Sequence, residues 1–315
     1  MARKEEFTFD SRDGKTKIHA VRWVPEGKVI CILQIVHGMA EYIDRYEEVA
    51  QYFAEKGILV TGEDHLGHGK SVAEGGTYGY FCKQDPATVV VRDVHRLKKM
   101  TQEDYPGIPY VILGHSMGSF ILRNYLCRYG TGIQGAIICG TASMPDAVIV
   151  GAKAVANIQK LFLGDKHVSK LLDKLAFGAY NNKISQPKTA YDWLAVNEAV
   201  VEKYVADPLC GFIFTVNGFR TLFELLSRQN KAENLQKMPK ELPVFFIAGE
   251  EDPVGDYGKG VKKVYEDFTG ALGMKNVTLK LYSGDRHEIL NESDKQQVFE
   301  DIYPWIVERV KEYQI

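Results

Sequence analysis

A serine in mid-chain, with an aspartate and a histidine near the far end, are residue types that together can perform nucleophilic acyl transfer. The serine is Ser116, in Tyr110-Val111-Ile112-Leu113-Gly114-His115-Ser116-Met117-Gly118-Ser119. A β-branched and aliphatic run ends at a glycine, and Phe120-Ile121-Leu122-Arg123-Asn124-Tyr125-Leu126 then reads as helix. Strand, sharp turn and helix put Ser116 at the corner. The cramped backbone there demands small residues two before and two after, and Gly114 and Gly118 occupy those positions. The plain alternative is a loop serine that caps the next helix. The buried-strand run before it and the helical run after it favour an exposed nucleophile with the Met117 amide opening the helix behind it.

A serine hydroxyl is a poor nucleophile at neutral pH and needs a base. The chain has 8 histidines. Sites in open α/β sheets lie beyond the carboxyl ends of strands, where His37, His65, His68 and His287 fall. His115 adjoins the serine but should point away from it. His19 and His95 read as surface or partly buried positions, and His167 lies in a helical stretch. A nucleophile of this strand-turn-helix kind is followed in the chain by the acid and then the histidine, which selects His287 as base. The acid should come from the loop after the preceding strand, among Glu250, Glu251, Asp252 and Asp256. Asp252, next to Pro253, is the choice and Glu251 the fallback; its role is to hold the imidazole tautomer. Two amides should stabilise the oxyanion. Met117 follows the nucleophile, and Met39 lies in His37-Gly38-Met39-Ala40, where Gly38 permits close backbone approach.

These groups need a scaffold. Residues 6–10 and 17–24 alternate apolar and polar about an Asp13-Gly14 turn, which predicts an antiparallel hairpin with one face wet. From Val29 the strands become continuously apolar and alternate with helical stretches at 45–56 and 87–105, as far as the strand at 135–140. That rhythm predicts a parallel sheet with right-handed crossovers. It stops over residues 144–234, which read as helical, and resumes with strands at 243–249 and 277–282 and helices at 259–269 and 293–311. The expected organisation is an α/β core, 1–143 and 235–315, with a helical insertion, 144–234.

The chain has 315 residues and a net charge of −2, which gives no reason to expect nucleic acid as a partner. Its 5 cysteines follow neither a disulfide framework nor a metal-ligand spacing. The amino terminus has no apolar signal core, and no stretch is long enough to span a bilayer. The expectation is a reduced, cytoplasmic, soluble protein without metal or organic cofactor.

Taken together, these residues resemble the α/β-hydrolase superfamily and, within it, the monoacylglycerol lipase and lysophospholipase branch grouped with serine aminopeptidase-like hydrolases. Three segments carry the resemblance. His37-Gly38-Met39-Ala40-Glu41-Tyr42 with Arg45-Tyr46 is similar to the branch's His-Gly-x-x-Glu-His…Arg-Tyr segment, with Tyr42 in place of the second histidine. Asp64-His65-Leu66-Gly67-His68-Gly69-Lys70-Ser71 resembles its Asp-x-x-Gly-His-Gly-x-Ser loop, and Gly114 to Gly118 its nucleophile turn. Asp252-Pro253 and Arg286 to Glu292 also fit. The resemblance implies an α/β-hydrolase fold, a Ser116–Asp252–His287 triad, oxyanion amides at Met39 and Met117, and a lid formed by the insertion. It further implies that Glu41, Arg45, Asp64 and His68 hold loops.

In that lid Ala152, Val155, Ile158, Leu161 and Phe162 recur at helical spacing and could line an acyl tunnel, with Phe212 in a second apolar segment. The alternative is that this stripe packs onto the core. Interleaved lysines permit contact with an anionic membrane surface, although such lysines are more often a solvated face. The expected function is hydrolysis of single-chain acyl esters such as monoacylglycerol or lysophospholipid. An aminopeptidase or amidase would need a lid carboxylate for a free amine, with Asp165, Asp173 and Asp207 as candidates. A non-catalytic binding protein is disfavoured because all three triad residue types are present.

Overall fold

The computed structural model describes residues 2–313. Its first two strands, β1 (Arg3–Asp10) and β2 (Lys17–Val24), pair antiparallel about the predicted turn. Only β1 has a wet face. β2 is buried almost throughout, because its other edge pairs antiparallel with β4 (Ile58–Glu63). Its alternating polar residues are therefore paired and not solvated. His19 Nδ1 lies 2.9 Å from Asp64 Oδ2, and Arg22 Nη2 lies 2.6 Å from Asp104.

Five further strands complete one sheet: β3 (Cys31–Val36), β5 (Tyr110–His115), β6 (Gly135–Cys139), β7 (Val244–Gly249) and β8 (Val277–Tyr282). The order is β1-β2-β4-β3-β5-β6-β7-β8, with every pairing from β4 onward parallel. The central strands are apolar without alternation because helices cover both faces. On one side α1 (Glu47–Ala54) and α10 (Lys295–Val310) pack against Leu33, Val111 and Ile247. On the other lie α2 (Pro86–Asp104), α3 (Met117–Tyr129) and α9 (Lys259–Glu266), against Ile112, Ile138 and Phe246. Two predicted helices are divided. A 3₁₀ turn, Ile43–Tyr46, precedes α1, and a π turn, Asp267–Ala271, follows α9.

Between β6 and β7 run α4 (Asp146–Leu163), α5 (Lys170–Phe177), α6 (Glu198–Ala206), α7 (Val216–Asn230) and α8 (Ala232–Leu235). They are not equally buried. α7 sends Phe219, Phe223 and Leu226 into the core cluster. Asn217 ties it down further, accepting from Phe81 N–H at 3.0 Å and donating to Cys82 O at 2.8 Å. α4 buries only Ile149 and Ala156 fully. No helix among the described residues is long and apolar enough to cross a membrane.

Candidate active site

Ser116 sits between β5 and α3 with φ +54° and ψ −121°, a backbone conformation that L-residues rarely adopt. The surroundings enforce it. The Ser116 amide donates to Cys139 O at 3.0 Å, and a Cβ at Gly118 would come within 1.9 Å of Val36 O. The start of α3 is thus pressed onto the end of β3, as a glycine two residues after the serine permits.

Asp252, in the loop after β7, is fully buried, whereas Glu250, Glu251 and Asp256 are exposed. Its Oδ1 accepts from Val254 N–H at 2.8 Å, and its Oδ2 lies 2.9 Å from His287 Nδ1. A carboxylate on Nδ1 fixes the proton there and leaves Nε2 as the basic atom. Nε2 is buried and makes no hydrogen bond among the described residues. His287 lines a cavity of about 280 Å³ that Ser116 also lines. No hydrogen bond joins the two side chains; serine–histidine bonds of this kind often tighten only once substrate is present.

The loop after β3 approaches the same cavity. A Cβ at Gly38 would lie 3.1 Å from Ser116 Cβ and 2.5 Å from Glu41 Oε1, so only glycine fits. Met39 and Met117 line the cavity, and their amides make no hydrogen bond among the described residues. Both are therefore available to an oxyanion.

Behind this loop lies a buried ionic network. Glu41 Oε1 accepts from Gly38 N–H at 2.6 Å and Tyr46 Oη at 2.9 Å, and Glu41 Oε2 accepts from Arg45 Nη1 at 2.7 Å. Arg45 also grips Glu288 with both amino groups, at 2.8 and 2.7 Å, which joins the loop after β3 to the residue after His287. Burial opposes the charge on Glu41, but His115 and Arg45 hold its carboxyl well below the usual range. His115 does point away from the serine. It meets Tyr46 and Glu41 through Nδ1, and its Nε2 lies 3.2 Å from His287 O.

The three other strand-end histidines form a second buried group. The rings of His37 and His65 stack with centroids 4.0 Å apart, and His68 lies 5.3 Å from His37. His65 N–H donates to His37 Nε2 at 3.0 Å, so the His37 proton is on Nδ1, which donates to Gly38 O at 2.8 Å. Burial pushes His65 down to about 4 and His68 to about 3, so both are neutral braces of the loop after β3. Asp64 braces it as well, accepting from Ile43 N–H at 2.9 Å and Lys70 N–H at 2.8 Å.

The helical segment forms the cavity's remaining walls. Phe212 lines it, with Phe177, Trp193 and Phe223. Ile158, Leu161 and Phe162 do not. They are 59, 78 and 78% exposed on the outer face of α4, while Ala152 and Val155 pack against the core. The apolar stripe of α4 is wider than the face it buries. Trp193 went unrecognised in the sequence, yet its ring lies 5.2 Å from that of His287. Charges hold it there. Arg286 Nη1 donates to Asp192 O and Ala195 O, at 2.8 and 3.0 Å, and Glu292 accepts from the amides of Val196 and Asn197. The density of charge in Arg286 to Glu292, at the end of a sheet strand, was the available signal, since buried charges need partners.

A family model described as serine aminopeptidase, S33, matches residues 27–294. The chain belongs to that family. Among relatives of this S33 member, a monoacylglycerol lipase from Mycolicibacterium smegmatis is 29% identical over 309 residues, 96% of this chain and 97% of that one. The monoglyceride lipase of Homo sapiens is 28% identical over 292 residues, covering 91% of this chain and 86% of its own. A thermostable carboxyl esterase from Bacillus coagulans, solved in complex with glycerol, superposes with a TM-score of 0.90. It is 32% identical and covers 98% of this chain and 99% of that one.

Proposed function

We propose that Ser116, His287 and Asp252 act as the catalytic triad and that the substrates are single-chain acyl esters of the monoacylglycerol or lysophospholipid type. The chain is an ester hydrolase of the serine class, as its family and full-length relatives establish. The observation that carries the triad is the Asp252–His287 contact, which leaves Nε2 without a hydrogen bond among the described residues on a histidine that lines the same cavity as Ser116. In this reading His287 Nε2 takes the Ser116 proton as Oγ attacks the ester carbonyl. The Met39 and Met117 amides receive the developing oxyanion, each contributing on the order of 3–4 kcal/mol to the transition state. His287 then protonates the departing alcohol. Water, activated by the same imidazole, releases the fatty acid from Ser116.

Residues 144–234 serve as the lid over the core of 1–143 and 235–315. We assign the acyl chain to the apolar side of the cavity, near Phe212 and Phe223, and the exposed apolar face of α4 to transient contact with a lipid surface. Five free cysteines fit a reducing compartment, and we place the protein in the cytoplasm.

A fluorophosphonate probe tests the nucleophile. Labelling should be strong in the wild type and absent in Ser116→Ala, and equal labelling of both would remove Ser116 from the role. A chain-length series of 4-nitrophenyl esters beside aminoacyl anilides tests the substrate class. Turnover of the anilides alone would reverse the choice of esters over amides.

A further inference from the structure

The lid segment places one carboxylate on the cavity, Asp173, for which the reaction as described has no use. Asp173 shares with Ala176 and Phe177 the face of α5 that lines the cavity. Its side chain makes no hydrogen bond or ion pair among the described residues. The other acids considered for this region are engaged. Asp165 pairs with Lys160 and Arg220, and Asp207 accepts from Tyr42 Oη at 2.7 Å and Leu209 N–H at 2.8 Å. Glu41 and Glu288 also reach the cavity, but Arg45 holds both.

The wall around Asp173 is fixed to the oxyanion loop. Tyr191 Oη donates to Gly211 O at 2.7 Å, and Gly211 N–H donates to Ala40 O at 3.0 Å, next to Met39. Burial raises the Asp173 carboxyl above its ordinary range. Tyr191 lines the same cavity as Asp173. A carboxylate held without a partner among aromatic side chains is satisfied when a ligand brings hydrogen-bond donors to it, and it repels a ligand that brings negative charge.

We infer that Asp173 is a specificity-determining residue that accepts hydrogen bonds from the free hydroxyls of a glycerol-type monoester and turns away acyl esters with an anionic phosphate head. The inference rests on the assignment of Ser116 and its cavity as the reaction site, and it narrows the substrate to uncharged polyol monoesters. Rejection works by an unfavourable contact for the wrong substrate as much as by a favourable one for the right substrate.

Three esters with one acyl chain provide the test: a 1-monoacylglycerol, the matching lysophosphatidic acid and the 4-nitrophenyl ester. Asp173→Asn keeps the shape and removes the charge, and Asp173→Leu removes the acceptor as well. The wild type should prefer the monoacylglycerol. In Asp173→Asn that preference in kcat/KM should fall by about tenfold, and in Asp173→Leu the KM for monoacylglycerol should rise by about tenfold. Turnover of the 4-nitrophenyl ester, which presents no free hydroxyl, is the reference against which both changes are read. A wild type without the preference, an unchanged ratio in Asp173→Asn, or a parallel loss on all three esters overturns the inference. So does a loss confined to aminoacyl anilides, which would assign the carboxylate to an ammonium group. Ser116→Ala is the separate control: if it retained ester turnover, the site itself would be misassigned, whatever the Asp173 ratios.

Discussion

The two sides of the cavity are built on opposite terms. On the core side four carboxylates are matched: Glu41 and Glu288 share Arg45, Asp252 holds His287, and Asp64 takes two loop amides. On the side of the helical segment Asp173 has no hydrogen-bond or ion-pair partner among the described residues, and α4 presents Leu161 and Phe162 to solvent at 78% exposure each. The contrast separates two tasks. Proton transfer and oxyanion binding tolerate errors of only a fraction of an ångström, and buried, mutually satisfied hydrogen bonds supply that rigidity. Choosing among acyl chains and head groups needs room and adjustable walls, which loosely buried helices provide.

The sharpest way to break the core side is Asp252→Asn. Asp252 Oδ1 already accepts from Val254 N–H, so the asparagine oxygen should keep that bond and turn its amide toward His287 Nδ1. Two donors cannot share a hydrogen bond, and the imidazole proton is driven to Nε2, the wrong atom. kcat on a 4-nitrophenyl ester should fall by about 10⁴-fold. A variant that kept activity within tenfold would show that Asp252 does not set the tautomer.

Next in size is Arg45→Met, which strands two buried carboxylates. Removing one partner of a buried ion pair destabilises by about 3–5 kcal/mol. Urea unfolding should register that loss, and the triple variant Glu41→Gln, Arg45→Met, Glu288→Gln should recover part of it. A change below about 1 kcal/mol in Arg45→Met would mean that the network contributes no more than surface ion pairs do.

The same contrast governs what could be read in advance. The sheet and its site were legible because continuous apolar runs, glycines flanking Ser116 and strand-end positions are local signals that tertiary packing also requires. The parallel strands therefore appear where the rhythm put them, and Asp252 reaches His287. Where polar side chains are buried, the local signal inverts. His19 and Arg22 alternate along β2 like solvated residues but are inside, compensated by Asp64 and Asp104. On the helical segment, amphipathicity tells which residues are apolar and not which of them find a partner. Ile158, Leu161 and Phe162 share a stripe with Ala152 and Val155, yet only the latter two pack against the core.

Acid should expose the histidine brace. His65 and His68 are held at about 4 and 3 in the fold and return to about 6.5 when unfolded, so the unfolded chain binds the extra protons. Stability from each is complete above about pH 6.5 and is lost as pH falls toward the folded value, on the order of 3 kcal/mol for His65. Glu63 works in reverse. Burial, with Asp64 nearby, raises its carboxyl well above normal. Its contribution is complete below the unfolded value and is lost as pH rises through the folded one. Glu63→Gln should therefore raise the urea midpoint at pH 8 and leave it unchanged at pH 4. Equal shifts at both values would assign the effect to packing.

The smallest effect belongs to the outer face of α4, and its smallness is what the contrast requires. Leu161→Ser and Phe162→Ser remove apolar groups that touch little of the protein, so stability should move by less than about 0.5 kcal/mol. Hydrolysis of a short, water-soluble 4-nitrophenyl ester should not change, because neither side chain lines the cavity. Monoacylglycerol presented in anionic vesicles is a different substrate, since the enzyme must first lie on the surface. Each buried methylene group contributes about 0.8 kcal/mol to such adsorption, so losing two large apolar side chains should lower vesicle turnover several-fold. If both substrates lost activity together, α4 would have to act through the cavity after all, and the division between a rigid reacting side and a permissive selecting side would fail at its outermost helix.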